Sequence, residues 1–440
     1  MPPRAASKPS TIPAAGYVPR IADGQLDRML ETAPAIAIEG ALGVGKTTTA
    51  RRHADTLHTL DDPKQQDAVR EQPRRACTGQ GTILVDEWMH VPPVWDSVRR
   101  LIAGGTQPGR FLLASSTMPH WLTEEVGGIE VPSLRMRPLA LAERGLGDPS
   151  VSLRELLEGT RVSLAGTTSL SFPDYAREIV VSGMPGLRGL SERQARARLG
   201  DYIDRLIDRE LPARGRWVHD PQALRLWLTA YAAASSLATS FEAVHDAAID
   251  GPPKRRLLAL ANAYRIALER LWIVDPVEPW APAQVGTGGA RMEPKHQLVD
   301  PAFAALLLGV DGERLLAPPP ADRGHRRQRR DGTLPTSLFE SLVTQSVRVY
   351  AQAAGAQVTH LCGSVDWPEV ELIVEGADER VVAIAVAIDD EAEDRRARAL
   401  ARTAELLEQT LADAVVITAG GQARRRDDGV AAVPAVLLGP

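Results

Sequence analysis

Short apolar runs, each closed by a glycine or an acid, pattern the first third of the chain. Ala35-Ile36-Ala37-Ile38 is apolar without a break, as a strand buried on both faces is. Thr48 to Leu57 holds neither Pro nor Gly and predicts a helix. Thr82-Ile83-Leu84-Val85 and Arg110-Phe111-Leu112-Leu113-Ala114 repeat the buried-strand pattern, and Ile129-Glu130-Val131 to Leu134 is a further strand-like piece. Residues 58 to 80 are polar and interrupted by Pro63, Pro73 and Gly79, so connecting loops with room for one short helix are expected. Strands alternating with helical stretches predict an α/β fold with a parallel sheet. Ahead of this, residues 1–16 are a Pro- and Ala-rich lead-in expected to be disordered, and Gln25 to Thr32 reads as a short helix.

From Leu139 the strand pattern stops. Leu141 to Arg144, Ser152 to Leu157 and Phe172 to Val181 are helical pieces, and Ser191 to Arg209 is a long amphipathic helix with Ser191 as cap and Leu199, Ile203 and Leu206 on one face. Ala223 to Ala234, Ser240 to Ala248 and Lys254 to Trp272 predict three helices, and Ile273 to Val277 a short strand. Three helices and a strand suggest a winged helix-turn-helix, with a packing module as the alternative. Asp300 caps an apolar helix that begins at Pro301. Residues 311–335 are a linker holding Pro318-Pro319-Pro320 and the basic run Arg323, Arg326, Arg327, Arg329 and Arg330. The last hundred residues read as helix (Leu338 to Ala353), strands (Gln357 to Leu361, Val370 to Val374, Val381 to Ile388), helix (Glu391 to Leu411) and strand (Ala414 to Thr418).

Composition narrows the class. The 440 residues are 44% hydrophobic and 24% charged, which suits several ordinary globular domains. A net charge of −5 gives no general attraction to nucleic acid, so any such surface must be local. Candidates for one are Lys254, Arg255 and Arg256, with the Arg323–Arg330 run; a solvated helix face and a mobile charged linker are the plainer readings. Two distant cysteines, Cys77 and Cys362, make neither a disulfide framework nor a zinc site and fit a reducing cytoplasm. No run approaches the length of a membrane span.

The chemistry is concentrated at the ends of the first strands. Gly40-Ala41-Leu42-Gly43-Val44-Gly45-Lys46-Thr47-Thr48 has the phosphate-loop spacing, Gly, four residues, Gly-Lys-Thr, between a strand and a helix. Glycines let the backbone wrap a phosphate with its N–H groups inward, and the following helix adds its positive end. Lys46 is expected to reach the β- and γ-phosphates of ATP, and the Thr47 hydroxyl to lie on Mg²⁺. The strand ending in Asp86-Glu87 supplies a second anchor: Asp86 for the Mg²⁺ shell and Glu87 to polarise the attacking water. Ser115 and Ser116 close the next strand and are candidates for a polar sensor, with turn chemistry as the alternative.

These pieces resemble bacterial and archaeal AAA+-related P-loop ATPases whose C-terminal half is a domain of unknown function with a PD-(D/E)XK nuclease-like end. The matching stretches are Ile38-Glu39-Gly40 into Gly45-Lys46-Thr47, Asp86-Glu87-Trp88, Gly109 to Leu113 and Arg135-Met136-Arg137-Pro138, followed by Leu141 to Gly145, Lys295-His296, Asp300-Pro301, Leu338-Phe339-Glu340 and Leu438-Gly439-Pro440. The resemblance implies ATP binding and hydrolysis and a helical plus winged-helix middle. It departs at two places. Where the family has Thr-Gly-Ser after the sensor strand, this chain has Ala114-Ser115-Ser116. Where the family ends the third C-terminal strand in Glu-Val-Lys, this chain has Ala385-Val386-Ala387. Glu340 and Glu371 could supply two carboxylates, but without a third ligand or a lysine the nuclease-like end is expected not to cut.

The expected organisation is therefore an ATPase core at 17–138, a helical lid at 139–220, a winged-helix-like region at 221–310, the linker, and a degenerate nuclease-like domain at 336–440. The expected activity is that of a Mg-dependent ATP-hydrolysing switch. A DNA- or protein-binding module that uses ATP only as a conformational ligand is the competing reading, and a homo-oligomer is compatible with either.

Overall fold

In the computed structural model, three of the apolar runs and two short edge pieces lie side by side as a five-stranded parallel sheet. The strands are β1 (Ala35–Glu39), β2 (Thr56–Thr59), β3 (Ile83–Asp86), β4 (Phe111–Ser115) and β5 (Ser133–Arg135), in the order β2-β3-β4-β1-β5. The structure describes residues 16–117, 131–159, 162–213, 218, 220–248, 255–280, 292–317, 334–364, 367–407 and 410–440. β1, β3 and β4 are buried along their whole length, which is why they read as unbroken apolar runs rather than alternating ones. β4 lies between β1 and β3, so the phosphate-loop strand and the Asp86 strand are separated by one strand.

The chain divides into two units. One runs to Arg137 and takes in Arg270–Trp272; the other holds Pro138–Glu269 and Ile273–Pro440. In the first, the stretch Thr48 to Leu57 is not one helix. Helix α1 (Ile21–Thr32) precedes β1, and α2 (Lys46–Arg52) follows the loop but stops at His53; Thr56 to Thr59 instead pairs with β3, Leu57 opposite Leu84. Asp55 sets this turn by accepting the Thr82 N–H at 2.8 Å, and a vacant sheet edge outweighs the local helix preference. The polar stretch that follows is more ordered than its composition suggests, with a helix at Pro63–Glu71, whose N-terminus Asp62 caps, and a 3₁₀ turn at Pro73–Cys77. Helix α3 (Pro93–Ala103) starts at its proline.

The second unit is built on a six-stranded sheet. Its strands are β6 (Gln357–Leu361), β7 (Val370–Glu375), β8 (Val381–Ala387), β9 (Leu411–Thr418), β10 (Arg424–Arg425) and β11 (Ala431–Pro434), ordered β10-β11-β9-β8-β7-β6. β6, β7 and β8 are antiparallel neighbours, whereas β8, β9 and β11 run parallel. Helix α4 (Leu334–Ala354) precedes β6, and α5 (Asp390–Leu406) joins β8 to β9. The helix, three-strand, helix, strand order is thus present, but α5 ends before Leu411, which already belongs to β9. Ala383, Ala385 and Ala387 lie in one apolar cluster with Val370, Val416, Ala397 and Leu400.

The helical pieces between residues 138 and 269 pack in this same unit. Phe339 of α4 meets the rings of Phe172 and Tyr175 at 6.1 and 5.1 Å, and the amides of Leu141 and Ala142 donate to Ser346 Oγ and Tyr350 OH. The amphipathic helix spans Glu192–Arg205, continues as a π turn at Leu206–Glu210, and buries Leu199, Ile203 and Leu206 as expected. Helices occur at Pro221–Ala233, Phe241–Ala247 and Arg255–Arg270. The short strand expected at Ile273 to Val277 does not form a ladder: Val274 and Val277 make isolated bridges to Leu298 and Lys295. Backbone hydrogen bonds nonetheless run from Val299 N to Ile273 O, from Asp275 N to Gln297 O and in both directions between Val277 and Lys295, each 2.9 Å. Lys254, residues 318–333 with the arginine run, and the 1–15 lead-in lie outside the described residues; the ends of the expected linker are instead helical, at Gly312–Leu316 and from Leu334. Among the described residues no helix is long and apolar enough to cross a membrane.

Two histidines are buried uncharged in the second unit. His296 sits edge-on to Tyr231 and Phe241 with Nε2 2.9 Å from Thr239 O, and burial pushes it down to about 4. His360, 3.0 Å from Glu293 O, is pushed down to about 3 by burial and by the Lys295 charge. Unfolded, each takes a proton near 6.5. A lowered histidine gives stability that is fully present above that value and is lost as pH falls towards the folded value. The denaturant midpoint is therefore expected to drop as pH goes from 6.5 towards 4. His296→Gln or His360→Gln should each flatten the fall by up to about 1.4 kcal/mol per pH unit. Equal slopes in parent and variants would assign the acid limb to other groups.

Candidate functional site

The loop between β1 and α2 adopts the glycine-dependent conformation that the spacing requires. Gly40, Gly43 and Gly45 have φ of 146°, 87° and 101°. At Gly40 a Cβ would lie 2.2 Å from the Met136 carbonyl oxygen, so only glycine fits. Ala41 and Val44 are buried with no exposed surface.

Five predicted polar residues converge here. Lys46, 4% exposed, donates through Nζ to Gly40 O at 2.9 Å, Ala41 O at 3.1 Å and Ser116 Oγ at 3.0 Å. Thr47 Oγ1 lies 2.9 Å from both carboxylate oxygens of Asp86, across the gap between α2 and β3. Glu87 has a left-handed backbone, φ 50°, which turns its carboxylate towards the end of β4, where it accepts from Ser116 N at 3.2 Å and from Ser116 Oγ. Burial pushes Asp86 up to about 6; the Thr47 hydroxyl opposes this and the neighbouring Glu87 adds to it. Leu42 belongs to the loop and Thr48 to the first turn of α2. Ser115 turns away, its hydroxyl donating to Thr117 O at 3.0 Å, so of the two candidate serines only Ser116 meets the cluster.

The donor set suits a hydrated hard cation: one hydroxyl and one carboxylate, both oxygen, already adjacent. The two carbonyls and the hydroxyl that Lys46 Nζ bonds are neutral oxygens, weaker partners than a phosphate.

Sequence reading gave no role to the segment before α1. Arg20, 7% exposed, donates to Val44 O at 2.8 Å inside the loop and to Arg137 O at 2.7 Å. Its backbone N–H donates to Asp23, which also takes the Tyr17 hydroxyl at 2.8 Å and lies 3.2 Å from His53 Nε2; Tyr17 in turn lies 3.1 Å from Thr49 Oγ1. Residues 17–23 therefore hold both the loop and its helix. The only sequence signal was an arginine just ahead of a helix. The guanidinium of Arg135 lies 4.1 Å from the Trp272 ring centroid.

A second polar cluster lies in the other unit, and here the sequence reading is corrected. Glu340 and Glu371 are not without a lysine: Lys295 Nζ is 2.9 Å from Glu340 Oε1 and 3.3 Å from Glu371 O. It comes from a segment far from the strand searched for it, so strand spacing could not reveal it.

Comparison with known proteins adds little to this geometry. Residues 172–314 match a domain of unknown function, DUF8612. The uncharacterized proteins Rv2008c of Mycobacterium tuberculosis and Mb2031c of Mycobacterium bovis are each 26% identical over 301 residues, 66% of this chain. The chain spans 60% of the length of these curated relatives. Among solved structures, the Walker-type ATPase PABY2304 of Pyrococcus abyssi aligns with 68% of this chain and 98% of its own, at 12% identity and a TM-score of 0.40. A chain of the Drosophila ORC bound to DNA aligns with 66% of this chain and 93% of its own, at 16% identity and a TM-score of 0.19.

Arg20 gives a test of the site's construction. Arg20→Ala removes the donor that holds Val44 O, a charged hydrogen bond worth roughly 1.5–3 kcal/mol. Amide hydrogen exchange across residues 43–47 is expected to quicken about tenfold or more. Unchanged exchange would mean the loop holds its shape without the arginine.

Proposed function

We propose that the first unit binds Mg-ATP and hydrolyses it. The observation that carries this reading is the convergence of Lys46, Thr47, Asp86, Glu87 and Ser116 around one glycine loop at the ends of three parallel strands. Such a site cradles phosphate with backbone N–H groups and places the lysine charge on the β- and γ-phosphates. Thr47 Oγ1 and Asp86 would hold the magnesium ion, directly or through its water shell. When bound, that ion neutralises charge developing on the phosphates.

The chain's own groups do the rest. In the phosphate-bound state Lys46 exchanges the Gly40 and Ala41 carbonyls for phosphate oxygens, a charge-assisted contact stronger than those it leaves. Glu87 orients the attacking water and takes its proton. To do so its carboxylate must release at least one bond to Ser116, and Ser116 is then free to contact the γ-phosphate. The finer parts of the reading, an AAA+-like switch, a helical lid over the nucleotide, a winged-helix middle and a nuclease-like domain that does not cut, rest on the sequence resemblance. Contact with DNA through Lys254, Arg255, Arg256 and the Arg323–Arg330 run is read from their charge, a cytoplasmic location from the two distant cysteines, and self-association is compatible with either reading.

Two substitutions test the core. Lys46→Ala is expected to abolish measurable ATP binding by calorimetry in a protein that still melts cooperatively; unchanged affinity would remove the site assignment. Glu87→Gln keeps the shape of the side chain but not its basicity. It should retain ATP affinity while turnover falls by about a hundredfold or more. Intact turnover would mean another group positions the water.

A further inference from the structure

The second unit holds a buried charge cluster that the ATPase reading does not use. Lys295 has a side chain with no exposure, and its Nζ faces Glu340 Oε1 at 2.9 Å, Glu371 O at 3.3 Å and Glu369 Oε1 at 3.7 Å. Glu340 comes from α4 and Glu371 from β7, and both are buried. Arg396 of α5 closes the other side, 2.6 Å from Glu371 Oε1. Two cations thus meet three carboxylates, where a carboxylate-lined site would ordinarily recruit a divalent ion. Among the described residues, no three His, Cys, Asp or Glu side chains are placed to hold a metal. Burial opposes the charge on Lys295, but Glu340, Glu369 and Glu371 more than reverse this and hold the ammonium above its ordinary value. Burial also pushes Glu340 up, against the pull of Lys295.

The backbone around Lys295 pairs with two other segments: reciprocal 2.9 Å hydrogen bonds join it to Val277, Asp275 N donates to Gln297 O at 2.9 Å, and His296 N donates to Leu237 O at 3.1 Å. The Lys295 side chain adds the contacts to Glu340 of α4 and to the Glu371 carbonyl of β7. Breaking one member of a buried pair leaves an uncompensated charge and costs far more than replacing both.

We infer that the Lys295 ammonium is the resident cation of the Glu340–Glu369–Glu371 cluster, standing where a divalent ion would be recruited and locking its own segment onto α4 and β7. The cluster then takes no divalent metal.

The full chain tests this in two ways, both in an Asp86→Asn background so that the phosphate-loop unit contributes no metal carboxylate. First, Mn²⁺ titration followed by electron paramagnetic resonance is expected to show no bound ion that Glu371→Gln removes. A bound Mn²⁺ that disappears with Glu371→Gln would overturn the inference. Second, a denaturation cycle with Lys295→Met and Glu340→Gln should show each single variant destabilised and the double variant recovering at least about tenfold in the folding equilibrium constant. A double variant that folds where Lys295→Met alone does not is the same result in stronger form. Additive effects would show that no lock exists. The Mn²⁺ titration of the lysine-bearing protein needs no Lys295 variant and stands whatever those variants do.

Discussion

An ammonium group taken out of water must be surrounded by oxygen, and each unit of this chain contains one. Lys46 is held by two loop carbonyls and a serine hydroxyl, and Lys295 by a carboxylate, a strand carbonyl and a second carboxylate. The difference in partners sets the difference in character. The three oxygens that Lys46 Nζ bonds are neutral, weaker partners than the phosphate it is proposed to meet, while the Asp86 carboxylate also senses its charge. The oxygens nearest Lys295 Nζ include two carboxylates.

Around Lys46 the sheet explains the rest. Parallel strands bring their C-terminal ends to one edge, and the side chains there are polar because the edge opens onto the loop. Asp86 and Glu87 are consecutive acids on one strand end, and the positive φ of Glu87 separates them, sending one to Thr47 and the other to Ser116. The loop can approach so closely only because Gly40 has no side chain to strike the Met136 carbonyl. Arg20 then holds the loop from outside by a carbonyl that no phosphate would use.

In the second unit, burial of the sheet limits the chemistry. Ala385 and Ala387 face the apolar cluster beneath α5, where an acid or an amine would lie among Val416, Leu400 and Ala397. One polar cluster of the unit is gathered at Glu340, Glu369 and Glu371 and is met by cations from two sides. One of those cations, Lys295, comes from a segment 45 residues before Glu340.

Much of this was legible in the sequence, because the signals were local. The loop spacing, the buried strands at β1, β3 and β4, the caps Ser191 and Asp300, and the helix and strand order of the last hundred residues all depend on neighbours a few positions apart, where backbone sterics and periodicity act. Tertiary structure decided what depends on distant partners. Thr56 to Thr59 became a strand because β3 offered an open edge. The segment from 138 to 269 joined the C-terminal unit through Phe339, Tyr350 and Ser346. Ser116 and not Ser115 met Lys46 because of the direction in which β4 ends. Arg20 and Lys295 acquired their places only when chain segments remote in sequence brought oxygen atoms to them, since a charge has no periodicity and its partner is chosen by the fold.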